Sequence, residues 1–488
     1  MRACERWTKD FLLTPTVVRL FGTVTWILAV CAYASAQKPN VTPQPIQSIA
    51  LNRTSPYSAV PQTTNTSGAT ATVPLSLRQA VEMALRENPR QVIARLLVNE
   101  AVEKKDVARA ALLPQADLVA REAIIRFNVQ SIIDLPAIGV GVHPLRIGPF
   151  QSEAGGVVFS QQLLNLGLIR HYQIGRQDIR TARFDESAAR EQITTAVVTQ
   201  YLAVLQGIAN QKDVEARVAL AQRLFEQAQR LEKTGVGTAI DTLRAQVELQ
   251  NEKQRLIDAS TQKLTAVYAL AELLDLPRRE EPQPTDAMQF FELSTFNRQQ
   301  VIYQALTNRP EMRALLSTGR STQLGLKAAT EQRLPTLEFS GFYEYQARRL
   351  DVGEPGYTYA FTLNVPLWTS GRIRAEIAQA HLEVERLARE RQDLENTITQ
   401  QVKTALDQIE AARNAVVVAN LGLKLAQDEV ARAERTFEAG VTTNIDVITA
   451  QDQLARADDN QLDALYRFNQ ARADLAGAEG NAEAVYAR

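Results

Sequence analysis

Two stretches of sequence decide the fold, and they read GVGTAIDTLRAQ at residues 235–246 and GVTTNIDVITAQ at residues 440–451. Each lies between two long segments with helical apolar periodicity. Glycine tolerates the left-handed backbone that follows a helix C-terminus, and a Thr followed three residues later by an Asp has capping-box spacing. Each stretch is therefore predicted to be the tip of a helical hairpin. From Gly235 to Gly440 the tips are 205 residues apart.

Other landmarks repeat in the same order. Asn88-Pro89 corresponds to Arg309-Pro310, and Leu113-Pro114 corresponds to Leu334-Pro335, at an offset of 221 residues. The offset falls to about 205 because the first copy carries 17 extra residues before its next glycine, best placed in the turn between its strands. The chain is thus predicted to duplicate one unit, in the order helix, strand hairpin, long helix, tip and helix.

The composition favours long helices and argues against a nucleic-acid partner. Lys and Arg total 54 against 55 Asp and Glu, which leaves no basic excess. No proline occurs between Pro149 and Pro277 or after Pro366. The 66 residues from Arg372 to Phe437 would form a helix roughly 100 Å long. Its near-heptad apolar seam predicts a coiled-coil layer.

The N-terminal part of the chain has the pattern of a secretory signal at residues 1–36. Basic residues precede an apolar run from Leu20 to Ala32, and Ala34-Ser35-Ala36 offers a cleavage site. An uncleaved anchor and lipid attachment at Cys31 are the alternatives. Residues 37–74 are rich in Pro, Thr and Ser and are predicted to be disordered.

Strand patterns follow each Leu-Pro. In the second copy, at about residues 337–346 and 357–366, apolar and aromatic residues alternate with polar ones. This pattern predicts barrel strands with one face toward lipid, while an ordinary half-buried hairpin is the alternative. The first-copy strands are predicted at about 115–127 and 154–164. The residues predicted to face lipid are Leu337, Phe339, Tyr343, Tyr345, Tyr357, Tyr359, Phe361 and Leu363.

These patterns divide the chain into a first repeat at 75–276, an inter-repeat linker at 277–297, a second repeat at 298–480 and a tail at 481–488. The sequence carries no motif for catalysis or for a cofactor. Its histidines, His143, His171 and His381, do not lie at metal-ligand spacing with one another or with a cysteine. The sequence therefore predicts neither an enzyme nor a cofactor or metal site.

The order of elements, taken with six landmarks, resembles the TolC-type outer membrane efflux family. The landmarks are Leu75-Ser76-Leu77, Asn88-Pro89, Leu113-Pro114, Val365-Pro366-Leu367, Gly371-Arg372 and the two Gly-Val tips. The resemblance implies a mainly α-helical fold with a membrane β-barrel portion. It implies a homotrimer whose protomers share a twelve-stranded outer-membrane barrel and a long α-helical coiled-coil tunnel in the periplasm. Its partners would be outer-membrane lipid, a periplasmic adaptor protein and an inner-membrane pump.

The resemblance also assigns roles to the tips. Asp446 matches an acidic position at the family's closed tunnel entrance, whereas Thr449 and Thr442 stand where the family has a second acid and a basic residue. Asp241 and Arg244 occupy the place where the family links its coils. Helix capping alone is the alternative for both aspartates. Gly235, Val236, Gly440 and Val441 are predicted to contact the adaptor.

The function that follows is a passive outer-membrane exit duct for an efflux or type I secretion system. The alternative is an elongated periplasmic coiled-coil scaffold that forms no channel. The strand hairpins distinguish the two, since only a duct requires them to cross lipid.

Overall fold

The computed structural model describes residues 71–128, 146–235, 237–291, 296–349, 352–439 and 444–487. The first half of the chain contains β1 (Ala71–Leu75), α1 (Leu77–Glu87), α2 (Pro89–Ala110), β2 (Gln115–Asn128), β3 (Arg146–Leu164), α3 (Leu166–Lys233) and α4 (Ala239–Leu273). The second half contains β4 (Glu280–Pro284), α5 (Arg298–Asn308), α6 (Pro310–Glu331), β5 (Thr336–Arg349), β6 (Val352–Asn364), α7 (Arg372–Glu438), α8 (Asn444–Glu479) and α9 (Ala482–Tyr486).

The two halves repeat the same element lengths. Helices α1 and α5 have 11 residues each, and α2 and α6 have 22 each, at an offset of 221 throughout. Helices α3 and α7 have 68 and 67 residues, so each is about 100 Å long. The hairpin registers also correspond, because Gln115 pairs with Ser160 while Thr336 pairs with Asn364.

Side-chain caps define where the helices begin. Ser76 forms a capping box with Gln79 at the start of α1, and Thr238 does the same with Asp241 at the start of α4. The Asn88 side chain accepts from the Arg90 amide, while Pro89 occupies the first turn of α2, where its missing N–H costs nothing. The helix boundaries are therefore set by local chemistry that the sequence shows directly.

The strands of the two repeats form one antiparallel sheet in the order β2-β3-β5-β6. The helices follow the same lateral order, since α2 packs on α3, α3 on α6, and α6 on α7. Further from the sheet, α4 packs along α3 and α8 along both α7 and α3. The sheet and the helices thus form one continuous layer, with the strands at one end and the helical hairpin tips at the other.

Two apolar cores lie where the short helices meet the long ones. The first packs α1, α3 and α4 around Val197, Tyr201 and Leu270, and the second packs α5, α7 and α8 around Val402 and Phe468. The cores use equivalent positions at an offset of 205 residues: Ile193 and Ile398, Val197 and Val402, Tyr201 and Leu406, Val204 and Ile409.

A two-stranded parallel sheet departs from the sequence prediction. Strand β1 begins inside the segment that we predicted to be disordered to residue 74, and it pairs with β4 inside the predicted linker. Both strands contain proline, which lacks the ladder donor and weakens any strand pattern. The pairing joins segments about 209 residues apart, from Ala71 to Glu280, so no local signal reveals it.

The predicted tail also has structure. Its helix α9 is held against α3, because the Arg190 guanidinium binds the Glu483 carboxylate, with 2.8 Å from Nε to Oε2. None of the helices in the described ranges is apolar enough over sufficient length to span a membrane. The predicted signal at 1–36, the part of the predicted disordered segment up to residue 70 and the predicted turn residues 129–145 lie outside the described residues.

Candidate functional site: an apolar band and two hairpin tips

One face of the four-stranded sheet carries the predicted lipid-facing residues in register. Leu337 lies opposite Leu363, Phe339 opposite Phe361, and Tyr343 opposite Tyr357. Directly paired residues point to the same face, and alternate residues of a strand share it. The first repeat extends the same face with Leu118, Val157 and Phe159. The predicted residues are thus brought together as a single apolar band.

The band is exposed in the single chain. Phe361 is 71% exposed, Tyr357 69% and Leu118 76%. Exposed apolar surface of this extent marks an interaction with lipid or with another protein. The helices of the same chain therefore do not bury it, unlike the core face of an ordinary half-buried hairpin.

The band has the height of a membrane core and defined ends. From Leu337 to Tyr345 it spans about 26 Å along the strand, against about 25 Å for the apolar zone of an outer-membrane barrel. Beyond Tyr345, the same face carries charged residues, since Glu122 pairs with Glu153 and accepts a hydrogen bond from Gln151. At the helical end, Trp368 is 87% exposed, which places an aromatic ring at the other border.

The opposite face of the sheet is largely polar. Gln162 Nε2 donates to Glu338 Oε2 over 2.9 Å across the β3–β5 seam. The same face carries Ser340, Glu344, Gln346, Thr358 and Thr362, which alternate with the aromatic positions. A sheet with these two faces can separate lipid from water.

Gly341 lets the aromatic rings of the band pack across the sheet. The Phe159 ring lies 5.3 Å from that of Phe339 and 5.8 Å from that of Tyr359. A Cβ at Gly341 would lie 2.7 Å from the Phe159 ring and 2.8 Å from the Tyr359 ring. The missing side chain therefore creates the space through which Phe159 and Tyr359 meet.

The first tip has the predicted geometry. Gly235 has a positive φ of 75°, and the Gly237 amide donates to the Leu231 carbonyl over 2.9 Å, which closes the end of α3. A Cβ at Gly237 would lie 3.0 Å from that of Leu231. Val236 lies outside the described residues. The turn is consequently tight at both of its glycines.

Asp241 is held by its own helix terminus. Thr238 Oγ1 donates to Asp241 Oδ2 over 2.6 Å, and an Arg244 nitrogen lies 3.8 Å from Oδ1. The hydrogen bonds from Thr238, followed by the charge of Arg244, lower the pKa of Asp241. The predicted pair Asp241 and Arg244 is thus in contact within one protomer, in an exposed capping box.

At the second tip, the structure describes α8 from Asn444 onward. Asp446 lies in its first turn and is exposed. The Thr449 hydroxyl donates to the Ile445 carbonyl of its own helix over 2.8 Å. Gly440, Val441 and Thr442 lie outside the described residues. The proposed entrance residues Asp446 and Thr449 are one turn apart on α8.

Several exposed residues beside these sites were missed by sequence reasoning. Ile240 and Leu243 are each 60% exposed next to the first tip, and Ile445 is 51% exposed next to the second. Ile240 and Ile445 occupy the same repeat position, and that shared offset was the available signal. Trp368 was missed because it follows the Val365-Pro366-Leu367 landmark, outside the alternating pattern.

Polar contacts join the first helical hairpin to the second. The Arg217 guanidinium pairs with the Asp459 carboxylate, at 3.3 Å from Nη1 to Oδ2, and Gln206 Nε2 donates to Asp463 Oδ1 over 2.8 Å. Burial raises the pKa of Asp213 and that of Asp458 beside this pair. The contact between α3 and α8 therefore gathers Asp213, Asp458 and Asp459 around Arg217.

A small cavity of about 50 Å³ lies between α3, α4 and α8, near the same contact. Leu220, Leu224 and Ile448 form part of its wall. The Glu252 side chain, 6% exposed, pairs with Arg255, and burial raises its pKa. Within the described ranges, no group of three or more His, Cys, Asp or Glu side chains could hold a metal ion.

Comparison with known proteins identifies the same architecture. Residues 80–275 and 301–481 match the profile of a family described as outer membrane efflux protein. These two ranges fall close to the two predicted repeats. No curated protein sequence matches the chain.

Solved outer-membrane proteins share the fold. The CmeC outer membrane channel of Campylobacter jejuni aligns with a TM-score of 0.70 at 16% identity, covering 83% of this chain and 86% of that one. The outer membrane protein VceC of Vibrio cholerae aligns with a TM-score of 0.69 at 18% identity, covering 83% and 96%. The open-state MtrE outer membrane channel of Neisseria gonorrhoeae aligns at 0.64 and 19% identity, covering 83% and 89%. The predicted fold class and family resemblance are both confirmed.

Proposed function

The chain belongs to the outer membrane efflux protein family, and on that premise we propose that it is the exit duct of a tripartite efflux or type I secretion system. It acts without catalysis, as a passive outer-membrane channel. Substrates would enter from an inner-membrane pump and a periplasmic adaptor. One observation carries this function. An apolar band as high as a membrane core and two helices of about 100 Å lie in one continuous layer.

The duct requires several copies of the chain. Four strands by themselves leave backbone groups unpaired at the outer strands β2 and β6, which hydrocarbon does not tolerate. Three copies would supply twelve strands to one closed barrel, and their long helices would surround a tunnel in the periplasm. A trimer of duplicated chains forms a ring of six similar units, which lets neighbouring helices pack almost equivalently.

The hairpin tips would form the periplasmic end of this tunnel. Asp446, with Thr442 and Thr449 nearby, would line the entrance, and Asp241 and Arg244 would restrain the neighbouring coil. Gly235, Val236, Gly440 and Val441 would contact the adaptor. The exposed Ile240 and Ile445 support this proposal, because they add apolar surface beside each tip.

Electron microscopy of the detergent-extracted protein tests the duct. We expect a three-fold particle with a detergent belt at one end and a tunnel on the order of 100 Å long. A rod without three-fold symmetry that needs no detergent would instead indicate a periplasmic scaffold.

Replacing Tyr343 and Phe361 with Lys should prevent insertion, since each Lys costs about 2–4 kcal/mol near the bilayer midplane. The matched control places Lys at Thr358 and Thr362, on the polar face of the same hairpin.

Single-channel recording tests the entrance. Asp446→Asn removes the charge but keeps an oxygen that can accept a capping hydrogen bond. We expect a changed cation selectivity in this variant. A selectivity and conductance equal to those of the wild type would limit Asp446 to a capping role.

Adaptor binding tests the tips. Replacing both Val236 and Val441 with Asp should weaken binding of the cognate adaptor while the particle remains three-fold. Unchanged adaptor binding would move the contact elsewhere on the tunnel.

A further inference from the structure

Charged side chains are distributed unequally between the two faces of the four-stranded sheet. We compare the faces over the section that lies between the row of paired residues containing Glu338 and the row containing Gln346. Among the described residues of this section, the apolar band carries no charged side chain in any strand. The polar face carries one arginine and four acidic residues: Arg121, Asp117, Glu338, Glu344 and Glu354.

The register places these charges at different heights along the strands. Glu338 lies nearest the helices, and Glu344 lies six residues further along β5, about 20 Å away. Asp117 of β2 falls in a row between them, whereas Arg121 falls in a row beyond all three. A solute that moves along the polar face from the helical end therefore passes three acidic rows before it meets the arginine.

Neutral amides hold the two glutamates of β5. Gln162 Nε2 donates to Glu338 Oε2 over 2.9 Å, and Gln346 Nε2 donates to Glu344 Oε1. An amide N–H stabilises a carboxylate without cancelling its charge, as an arginine or a lysine would. Both glutamates are thus fixed in position while they keep their negative charge.

Glu344 stands between two glycines. Its neighbour across the β3–β5 pair is Gly156, and its neighbour across the β5–β6 pair is Gly356. A Cβ at Gly156 would lie 2.6 Å from that of Glu344, so a larger residue there would displace the glutamate side chain. The two missing side chains leave the Glu344 carboxylate open to solvent on both sides.

We propose that the polar face of the barrel selects cargo by charge and passes cationic solutes in preference to anionic ones. Glu338 and Glu344 determine the preference, with Asp117 in the row between them. This assignment rests on the proposed duct and adds the charge class of its cargo. It also places a selective region in the barrel, at the opposite end of the molecule from Asp446.

The expected width of the barrel allows these charges to act on a passing solute. Three copies would supply twelve strands about 4.8 Å apart and tilted by about 40°, so the backbone would lie roughly 12 Å from the axis. The acidic side chains point inward from that wall. At 0.1 M salt the Debye length is about 10 Å, and a solute on the axis is attracted or repelled by every copy. At 1 M salt it is about 3 Å, and the preference should weaken.

Charged thiol reagents test the selection inside the barrel. Cys4 and Cys31, the only cysteines, are first replaced with Ala, and Thr358→Cys then places a thiol on the polar face between the rows of Glu338 and Glu344. The probes are the trimethylammonium-ethyl and sulfonatoethyl methanethiosulfonates, with each rate divided by its rate on free cysteine. In 0.1 M salt the cationic reagent should react about fivefold faster than the anionic one.

Substitutions on the two faces then assign the effect. Glu338→Gln with Glu344→Gln keeps an oxygen that can accept the amide hydrogen bonds and should bring the ratio of rates close to one. Arg121→Gln should raise the ratio. Glu122→Gln is the matched control, because it removes a carboxylate from the opposite face of the same sheet and should leave the ratio unchanged.

The outcomes separate the charge selection from the duct. If the double variant kept the ratio of the parent protein while Thr358→Cys still reacted, the charge selection would be wrong and the duct would stand. If neither reagent reached Thr358→Cys in the membrane-inserted protein, the polar face would not line a water-filled lumen, and the duct would fail together with the selection.

Discussion

The first and second repeats share a backbone but use different side chains at matched positions. Tyr201 lies in the first core, whereas its counterpart Leu406 lies in the second, and only the first core adjoins the β1–β4 sheet. The Tyr201 hydroxyl contacts the Leu75 carbonyl and Asp286 Oδ2, at 2.9 Å each. The two repeats therefore keep the same backbone, while single substitutions decide which contacts each core makes.

The same contrast separates internal contacts from exposed surfaces. Arg217 and Asp459 join the hairpins inside the chain, and their counterparts are Gly422 and Gln254 at an offset of 205. Near Gly422, Val418 and Leu421 are 71% and 60% exposed. At this position the contact within the chain uses an ion pair, whereas the matched surface of α7 is exposed and apolar.

The largest effect should come from the exposed face of α2. Leu96→Glu should abolish the proposed three-fold particle, because it places a charge on the exposed apolar face of α2, which assembly with another copy would bury. Folding of the single chain should change by less than about 0.5 kcal/mol, since Leu96 is exposed there. Native mass measurement in detergent checks the assembly.

Arg95→Glu is the control for this substitution. It introduces the same carboxylate at an exposed position on the flank of the same helix. If both variants assembled like the wild type, the apolar face of α2 would not contact another copy.

The next effect concerns Gly341, the glycine over which the aromatic rings of the band pack. Gly341→Ala should destabilise the protein by about 1–3 kcal/mol, because the added methyl overpacks the Phe159 and Tyr359 rings. Thermal dissociation of the particle in detergent measures the loss. Gly155→Ala is the matched control on β3, where an added Cβ meets no atom within 4 Å. If both variants lost the same stability, the effect would come from replacing a strand glycine and not from the packing of the aromatic rings.

A smaller effect should distinguish the two cores. Tyr201→Phe should cost about 1–2 kcal/mol, because the Asp286 amide donates to the hydroxyl and would lose this acceptor, and because the hydroxyl would no longer contact Asp286 Oδ2. Chemical denaturation of the detergent-solubilised protein measures the change. Leu406→Ile, in the second core, should leave the β1–β4 sheet protected from hydrogen exchange, whereas Tyr201→Phe should expose it.

The same tyrosine should make the first core sensitive to alkali. Burial raises the pKa of Tyr201 to about 12. A raised folded-state pKa contributes stability below the unfolded value, near 10, and loses it as the pH rises through the folded value. The wild type should therefore lose stability between about pH 10 and pH 12 more steeply than Tyr201→Phe. If the stability of both proteins fell equally steeply over this pH range, the titration of Tyr201 would not contribute.

The smallest effect concerns the contact between the hairpins. Burial, followed by the charge of Asp213, raises the pKa of Asp458, while Arg217 opposes the rise. Its stabilising contribution is present at low pH and is lost as the pH rises through the raised value. At neutral pH the buried Asp458 carboxylate is charged, and Asp458→Asn removes this unfavourable charge. The variant should therefore slow hydrogen exchange in α8 at neutral pH and make the exchange protection of α8 depend less on pH.

Asp452→Asn serves as its control on the same helix. A gain of equal size there would point to the total negative charge of α8. A faster exchange in Asp458→Asn would contradict the expected sign.

Much of the candidate site could be predicted from local patterns. The band residues from Leu337 to Tyr345 alternate with period two, and the structure places them on one face because strand side chains must alternate. The capping box of Thr238 and Asp241 was visible because its chemistry lies within four residues. Strand β3 begins at Arg146, earlier than predicted, because its first residues contain Gly148 and Pro149, which read as turn.

The sequence by itself determined the duplication, the helix ends, the long helices and the two faces of the strands. Each depends on periodicity or on contacts within a few residues, and those are written in the order of the chain. Tertiary structure alone decided the β1–β4 pairing and the contact of Arg217 with Asp459. It also decided that Ser317 of α6 is buried while Leu96, its counterpart in α2 at the offset of 221, is exposed. These depend on which distant segments meet, and the free energy of such packing leaves no periodic trace in either segment.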